Sequence, residues 1–229
     1  MTFLSDTSIG FPGLGIEIDP PAGFTVFGLE IRLYAVMIVL GIILAVLYAS
    51  RRSRAFGLVP DNVIDIVLVS LPCAVVGARA FYVISEWDVF FAPGVPWYEC
   101  ITGIRNGGLA IYGGVIGASA GLLVYFLTSK KRRARLLPSF DLCGLGLLIG
   151  QAVGRWGNFF NQEAFGELVT NPDLQFFPYA VYIERLGEWH MATFFYESVA
   201  CFLIFIFLLI YRRKAKNAPA GNLFLWYWV

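Results

Sequence analysis

The sequence has little charge, which excludes most soluble classes at once. Only 14% of its 229 residues are Asp, Glu, Lys or Arg, whereas 58% are hydrophobic. Soluble domains carry about 25% charged residues, so this composition indicates a membrane protein. The chain has a single histidine, His190, and four cysteines without a CxxC pair. These absences exclude the common zinc and dithiol motifs, and we expect neither a metal nor a cofactor.

Apolar runs of the length that crosses a bilayer as a helix recur along the chain. They cover about 29–49, 62–84, 109–128, 138–158 and 191–211, and another run begins near Asn222. The sequence therefore predicts an all-α polytopic membrane protein with five full transmembrane helices and a sixth that is cut short at Val229. We expect one integral-membrane domain over 1–229, because no soluble domain or linker interrupts the pattern.

Basic residues cluster after alternate spans. RRSR (51–54) follows the first span, KKRRAR (130–135) the third and YRRKAK (211–216) the fifth. Because short loops rich in Lys and Arg stay cytoplasmic, the N-terminus is predicted to be extracytoplasmic. Residues 1–28 then form an outer interfacial segment, and 85–107 and 159–190 are long extracytoplasmic loops. A nucleic-acid partner is not expected, since such proteins do not alternate basic charge with apolar spans.

Two spans carry a glycine at every fourth position, a spacing that lets helices approach closely. The residues are Gly113, Gly117 and Gly121 in the third span and Gly146, Gly150 and Gly154 in the fourth. We interpret both ladders as packing surfaces and expect the third and fourth helices to contact each other.

Polar side chains recur at one depth of five helices. Counted from the basic ends at about 1.5 Å per residue, they lie roughly 22–27 Å along each helix, near the outer boundary of a hydrocarbon core about 30 Å thick. They are Tyr34, Arg79, Tyr112, Arg155 and Glu197, joined from helix ends by Arg32, Arg105 and Asn158. Guanidinium groups bind phosphate bidentately, and the start of the third span offers free backbone N–H groups. An outer-leaflet phospholipid headgroup fits this layer.

A structural explanation of the same residues stays open. Arg79 and Arg155 could instead pair with Glu197 or with loop carboxylates, or extend to the interface, and the tyrosines could anchor their helices there. Asp65 and Asp141 lie near inner helix ends, where a cap or a buried pair explains them better than chemistry. His190 is either an interfacial residue or a participant in proton transfer.

The stretch GRWGNFFNQEAFGE (154–167) resembles the signature of the prolipoprotein diacylglyceryl transferases. The signature matches Gly154, Arg155, Gly157, Asn158, Phe159, Asn161, Glu163 and Gly166. Four further stretches are similar in order: IRLYAVMIVLG (31–41), GARAFYVI (77–84), RNGGLAIYGGVIG (105–117) and HMATFFYES (190–198).

The resemblance implies a seven-helix enzyme of the bacterial inner membrane, with its active layer on the extracytoplasmic side. It implies transfer of diacylglyceryl from phosphatidylglycerol to the lipobox cysteine of a prolipoprotein signal peptide, which forms a thioether and releases glycerol phosphate. Two departures are visible. Tyr112 stands where many members have histidine, and a phenol is a weak base at neutral pH, so the proton acceptor stays open. The family's later arginine motif and seventh helix do not appear, which indicates a truncated chain or a shortened relative.

The residues expected to carry the chemistry are those of the layer and the signature. Arg155, Tyr34 and Tyr112 are expected to be catalytic, and phosphatidylglycerol is expected to contact Arg155, Asn158, Arg79, Asn161, Glu163 and Gly166. Arg155 would stabilise the departing phosphate, the tyrosines would orient the headgroup, and Glu163 would fix Arg155 or Asn161. Gly166 would allow the turn into the outer loop. An inactive lipid- or signal-peptide-binding relative is the alternative. A transporter is less favoured, because transporter pathways distribute polar residues through the bilayer.

Overall fold

The computed structural model describes residues 3–5, 9–11, 16–18, 21–92, 94, 96, 98, 108–133, 135–215 and 218–229. The chain divides into two compact units, one of Met1–Ala49 with Asp141–Val229 and the other of Ser50–Phe140. Arg105, which was predicted to join the polar layer, lies outside the described residues, as does Cys100.

Helices make up most of the described chain. They are α1 Leu33–Arg52, α2 Pro60–Ser85, α3 Trp87–Phe90, α4 Ile111–Leu127, α5 Lys130–Arg133, α6 Leu136–Phe160, α7 Thr193–Lys214 and α8 Asn222–Trp228. Short 3₁₀ helices occupy Ser53–Phe56 and Pro172–Leu174.

Among the residues that the structure describes, four helical segments are long and apolar enough to cross a membrane, by length and composition. They are Leu33–Phe56, Pro60–Ser85, Leu136–Phe160 and Thr193–Lys214. The predicted third span is the shorter apolar helix α4, with 17 residues, so the structure supports four of the five full spans. The run near Asn222 becomes the short helix α8.

The fold is mostly helical, as predicted, but it is not all-α, because short strands lie outside the long helices. β1 Phe3–Ser5, β4 Pro21–Val26 and β5 Leu29–Arg32 form an antiparallel sheet in the order β1-β4-β5, and β2 Ile9–Phe11 pairs with β3 Ile16–Ile18. Phe27 and Gly28 both have positive φ and join β4 to β5 in the tight turn that hairpins favour. The first helix therefore begins at Leu33 rather than near 29.

A second hairpin lies within the predicted outer loop 159–190. β6 Ala180–Ile183 pairs with β7 Glu188–Met191 in antiparallel register, which places Val181 opposite His190. Strand β7 ends at Met191 and α7 begins at Thr193, so the second strand of the hairpin lies next to the start of that helix.

The glycine ladder of α4 packs against α2, within the second unit. A Cβ atom at Gly117 would lie 3.0 Å from Cα of Gly77 and 3.1 Å from the carbonyl carbon of Cys73. The backbone N–H of Ala110 also donates to the carbonyl of Ala78 at 3.1 Å. Only glycine leaves room for two helix backbones at this separation.

The ladder of α6 has a different partner, α1, within the first unit. A Cβ atom at Gly41 of α1 would lie 3.0 Å from the carbonyl oxygen of Gly150, and a Cβ at Gly146 would lie 3.7 Å from Cβ of Ala45. The α4 ladder thus serves close helix packing as predicted, with a partner that the sequence did not indicate. In the α6 ladder, a Cβ atom at Gly150 or Gly154 would meet nothing within 4 Å. Contact between the third and fourth spans stays a prediction.

The two aspartates near the inner helix ends have structural partners. The buried carboxylate of Asp141 in α6 accepts hydrogen bonds from the backbone N–H groups of Gly221, at 2.8 Å, and Phe224, at 3.0 Å. It therefore caps the N-terminus of α8. Asp65 in α2 accepts from the hydroxyl of Tyr125 in α4 at 2.9 Å. These contacts confirm the cap expected of Asp141. Asp65 has a hydrogen-bonded partner as well, but the pair is exposed rather than buried.

Candidate functional site

Aromatic packing fixes the C-terminal end of α6, which carries the signature stretch. Phe159 is buried with Val181 and Ile183 of β6 and Phe194 of α7. The Trp156 ring meets the ring of Phe194 edge-on, with 5.5 Å between their centroids. The apolar residues of the signature therefore hold the end of α6 against the β6–β7 hairpin and the start of α7.

Arg155 forms an ion pair with Glu197 of α7. Its Nε lies 2.5 Å from Oε2 of Glu197, and the two side chains are 39% and 47% exposed. The sequence left open whether Arg155 has a protein partner or a substrate, and the structure shows the protein partner. Because both side chains are about half exposed, an anion can still approach this guanidinium.

Glu163 holds two asparagine side chains. Its carboxylate accepts from Nδ2 of Asn158 at 3.1 Å and from Nδ2 of Asn161 at 2.9 Å. A carboxylate only accepts, so each amide must turn its nitrogen towards Glu163. Glu163 was predicted to fix Arg155 or Asn161. It orients Asn161 together with Asn158, whereas Arg155 pairs with a different carboxylate.

Tyr34, at the start of α1, packs directly on the signature. A Cβ atom at Gly157 would lie 3.0 Å from Cδ2 of Tyr34 and 3.3 Å from its carbonyl oxygen. The carboxylate of Glu163 also interacts electrostatically with Tyr34. The glycine at this position of the signature thus lets a tyrosine from another helix approach the carboxylate and its asparagines.

The turn after α6 is made by two residues that are not glycine. Gln162 has a φ of 47° and Ala164 a φ of 52°, both in the left-handed region that such residues rarely adopt. Gly166 was predicted to make this turn, and that prediction is wrong, since its φ lies outside the left-handed region. A Cβ atom at Gly166 would lie only 2.7 Å from Cγ2 of Thr193, so close packing is what requires the glycine there.

Residues of the β6–β7 hairpin and of the start of α7 hold this turn through hydrogen bonds. The N–H of Gly166 donates to the carbonyl of Met191 at 2.9 Å, and Nδ1–H of His190 donates to the carbonyl of Gly166 at 2.9 Å. The hydroxyl of Thr193 donates to the carbonyl of Ala164 at 2.5 Å. His190 is buried, with Nε2 at 3.4 Å from Oε2 of Glu188. Its contacts are those of a residue that fixes a backbone turn.

Arg79 and Tyr112 belong to the second unit. Arg79 is buried, donates from Nη1 to the carbonyl of Gly108 at 3.1 Å, and places its guanidinium over the rings of Tyr82 and Phe90. It therefore holds the segment that leads into α4, a role that the sequence did not indicate. Tyr112 lies in the first turn of α4 and is exposed.

Some contacts of the site could not be read from the sequence. His190 and Thr193 lie in a stretch that resembles the family, but nothing in the sequence links their side chains to the turn after α6. In the described part of the chain, no group of three or more His, Cys, Asp or Glu side chains is placed to hold a metal ion.

The first unit thus brings Tyr34, Arg155 and Glu197 to the same end of three helices, with the asparagines and Glu163 beside them. Together with the long apolar helices, this cluster defines a multi-pass membrane protein with a candidate anion-binding site at one end of its helices. The model of the prolipoprotein diacylglyceryl transferase family matches residues 21–229. The chain belongs to this family.

Its relatives include three bacterial proteins named phosphatidylglycerol–prolipoprotein diacylglyceryl transferase. The protein of Enterococcus faecalis is 39% identical over 208 residues, which cover 89% of this chain and 72% of the relative. That of Clostridium novyi is 38% identical over 212 residues, covering 90% and 78%. That of Streptococcus pneumoniae is 39% identical over 201 residues, covering 87% and 73%.

Proposed function

We propose that this protein transfers diacylglyceryl from phosphatidylglycerol to the lipobox cysteine of prolipoproteins. The observation that carries the proposal is the polar cluster around Arg155 and Glu163, at one end of apolar helices in a chain of this family. The phosphate of phosphatidylglycerol can bind the guanidinium of Arg155, and its headgroup hydroxyls can bind the amides of Asn158 and Asn161. Both substrates reach the site from the membrane.

The reaction exchanges a carbon–oxygen bond for a carbon–sulfur bond. The cysteine thiol loses its proton, and the thiolate attacks the carbon of the diacylglycerol moiety that carries the phosphate ester. The bond from that carbon to the phosphate oxygen breaks, its electron pair stays on oxygen, and glycerol phosphate leaves. Charge therefore grows on the phosphate, and Arg155 stabilises it there. Its planar guanidinium binds two phosphate oxygens at once when the phosphate competes with Glu197.

The other site residues position the lipid. Glu163 orients Asn158 and Asn161, whose remaining amide groups bind the headgroup. Tyr34 lies beside Glu163 and donates its hydroxyl to the headgroup. Gly166 keeps the turn packed on α7. The roles expected of Arg79 and Tyr112 stay predictions, and the thiol proton passes to an acceptor that the proposal leaves unassigned.

The protein is further proposed to lie in the bacterial inner membrane with its active layer outside. Basic residues support this orientation, because they occupy the last turns of α1, with Arg51 and Arg52, and of α7, with Arg212, Arg213 and Lys214. Tyr34 and Glu197 lie at the opposite ends of the same helices. The N-terminus is then extracytoplasmic, and the outer segments receive the prolipoprotein signal peptide.

The test is a transfer assay with the chain in lipid nanodiscs that contain phosphatidylglycerol. A lipobox peptide is added, and mass spectrometry measures the thioether product. We expect the wild-type protein to make the product, Arg155→Ala to make almost none, and Arg185→Ala to match the wild type. Arg185 is the control because it is an exposed arginine between β6 and β7. Lipid binding without any product would support the inactive binding protein and overturn the transferase proposal.

A further inference from the structure

Gln162 has a buried side chain whose hydrogen-bonding groups are unused. It is only 7% exposed, and in the part of the chain that the structure describes neither Nε2 nor Oε1 has a hydrogen-bond partner. An amide carries two N–H donors and an oxygen with two lone pairs. Proteins rarely bury such a group unsatisfied, because the lost bonds to water are not replaced. The adjacent Asn161 differs, since its amide is bonded to Glu163.

The backbone at Gln162 is also held in an unfavourable conformation. Gln162 and Ala164 both have positive φ, a conformation that disfavours residues other than glycine. Bonds on either side hold the turn: the N–H of Glu163 donates to the carbonyl of Asn158, and Thr193 donates to the carbonyl of Ala164. Strained residues of this kind concentrate at active sites and ligand-binding segments.

We propose that Gln162 recognises the glycerol hydroxyls of the phosphatidylglycerol headgroup. On binding, the carboxamide of Gln162 meets the two vicinal hydroxyls, one as donor and one as acceptor. A diol matches an amide in this way because each hydroxyl both donates and accepts, whereas a phosphate only accepts. The phosphate belongs to Arg155, and Gln162 adds to Asn158 and Asn161 in recognising the headgroup that follows it. This inference rests on the proposed function for its choice of lipid.

The experiment compares two lipids that share the phosphate and differ only in the headgroup hydroxyls. Phosphatidylglycerol and phosphatidylpropanol compete for the detergent-solubilised protein, and native mass spectrometry measures the ratio of bound lipids. The variants are Gln162→Leu, which keeps most of the volume, and Gln162→Gly, which adopts positive φ freely. The control is Gln175→Leu, because Nε2 of Gln175 already donates to the carbonyl of Val169 at 2.9 Å.

We expect the wild type and the Gln175→Leu variant to prefer phosphatidylglycerol. In both Gln162 variants, the preference for phosphatidylglycerol should fall about five- to thirtyfold, which corresponds to one or two hydrogen bonds. Their affinity for phosphatidylpropanol should be unchanged. A preference retained by both variants would overturn the proposal. A loss in Gln162→Leu alone would also overturn it, because Gln162→Gly lacks the amide as well.

The transfer assay separates this inference from the proposed function. A wild-type protein that selects phosphatidylglycerol through Gln162 and forms no thioether contradicts the transferase and supports the role of Gln162. A protein that forms the thioether while the Gln162 variants keep full selectivity supports the transferase and contradicts the role of Gln162.

Discussion

The ion pair between Arg155 and Glu197 allows a sharp test of whether Arg155 serves the fold or the reaction. The three variants to compare are Arg155→Ala, Arg155→Lys and Glu197→Gln. Both side chains are about half exposed, so solvent screens their attraction, and pairs of this kind contribute about 0.2–1 kcal/mol to stability. We therefore expect each variant to lose about 1 kcal/mol or less, and the three proteins to unfold at similar temperatures.

Activity should separate the variants. If Arg155 stabilises the departing phosphate, removing it costs about 10²- to 10³-fold in turnover, as the loss of one transition-state donor does in other enzymes. Arg155→Lys should fall between this value and the wild type, because an ammonium group does not bind two phosphate oxygens in the geometry of a guanidinium. Glu197→Gln should retain most of its activity, since it removes only a competitor of the phosphate.

Two measurements on the same nanodisc preparations decide the question: thermal unfolding by intrinsic fluorescence and the initial rate of thioether formation. Equal losses of turnover in Arg155→Ala and Glu197→Gln, accompanied by equal losses of stability, would refute the reasoning. That result would mean that the ion pair is required as a unit, and the phosphate would need another partner.

Three further predictions concern packing and capping. Gly157→Ala places a methyl 3.0 Å from the ring of Tyr34 and should lower the transfer rate. Gly150→Ala should leave the rate unchanged, because its Cβ atom meets open space. Equal rates in the two variants would contradict this prediction. Asp141→Leu removes two charge-assisted hydrogen bonds from the first turn of α8. It should lower the free energy of unfolding by about 3 kcal/mol, and Asp141→Asn should lower it less. Thermal unfolding measures both changes. Gly117→Ala clashes with the α2 backbone and should destabilise the protein more than Gly114→Ala, whose Cβ meets only ordinary contacts at 3.6 Å; pulse proteolysis compares the two.

The positions of the long helices could be predicted from the sequence because they depend on local hydrophobicity. Runs drawn at about 62–84 and 138–158 agree within two residues with α2 and α6. The signature and its polar residues were also visible, since they are contiguous in the chain. The strands were missed because their pairing depends on a turn with two positive φ values, at Phe27 and Gly28, and on partners that hydrophobic runs do not indicate.

The sequence by itself therefore determined a chain of membrane helices, the family to which it belongs and the residues available for a site. The tertiary structure alone decided the pairs between separate helices, Arg155 with Glu197 and Tyr34 with Gly157. It also decided that Glu163 holds the two asparagines rather than Arg155. It also left the amide of Gln162 buried without a partner in the described chain. The physical reason is that the two kinds of interaction act over different distances along the chain. Burial in a bilayer acts on each segment separately, whereas hydrogen bonds and ion pairs form only between side chains that helix packing brings within about 3 Å.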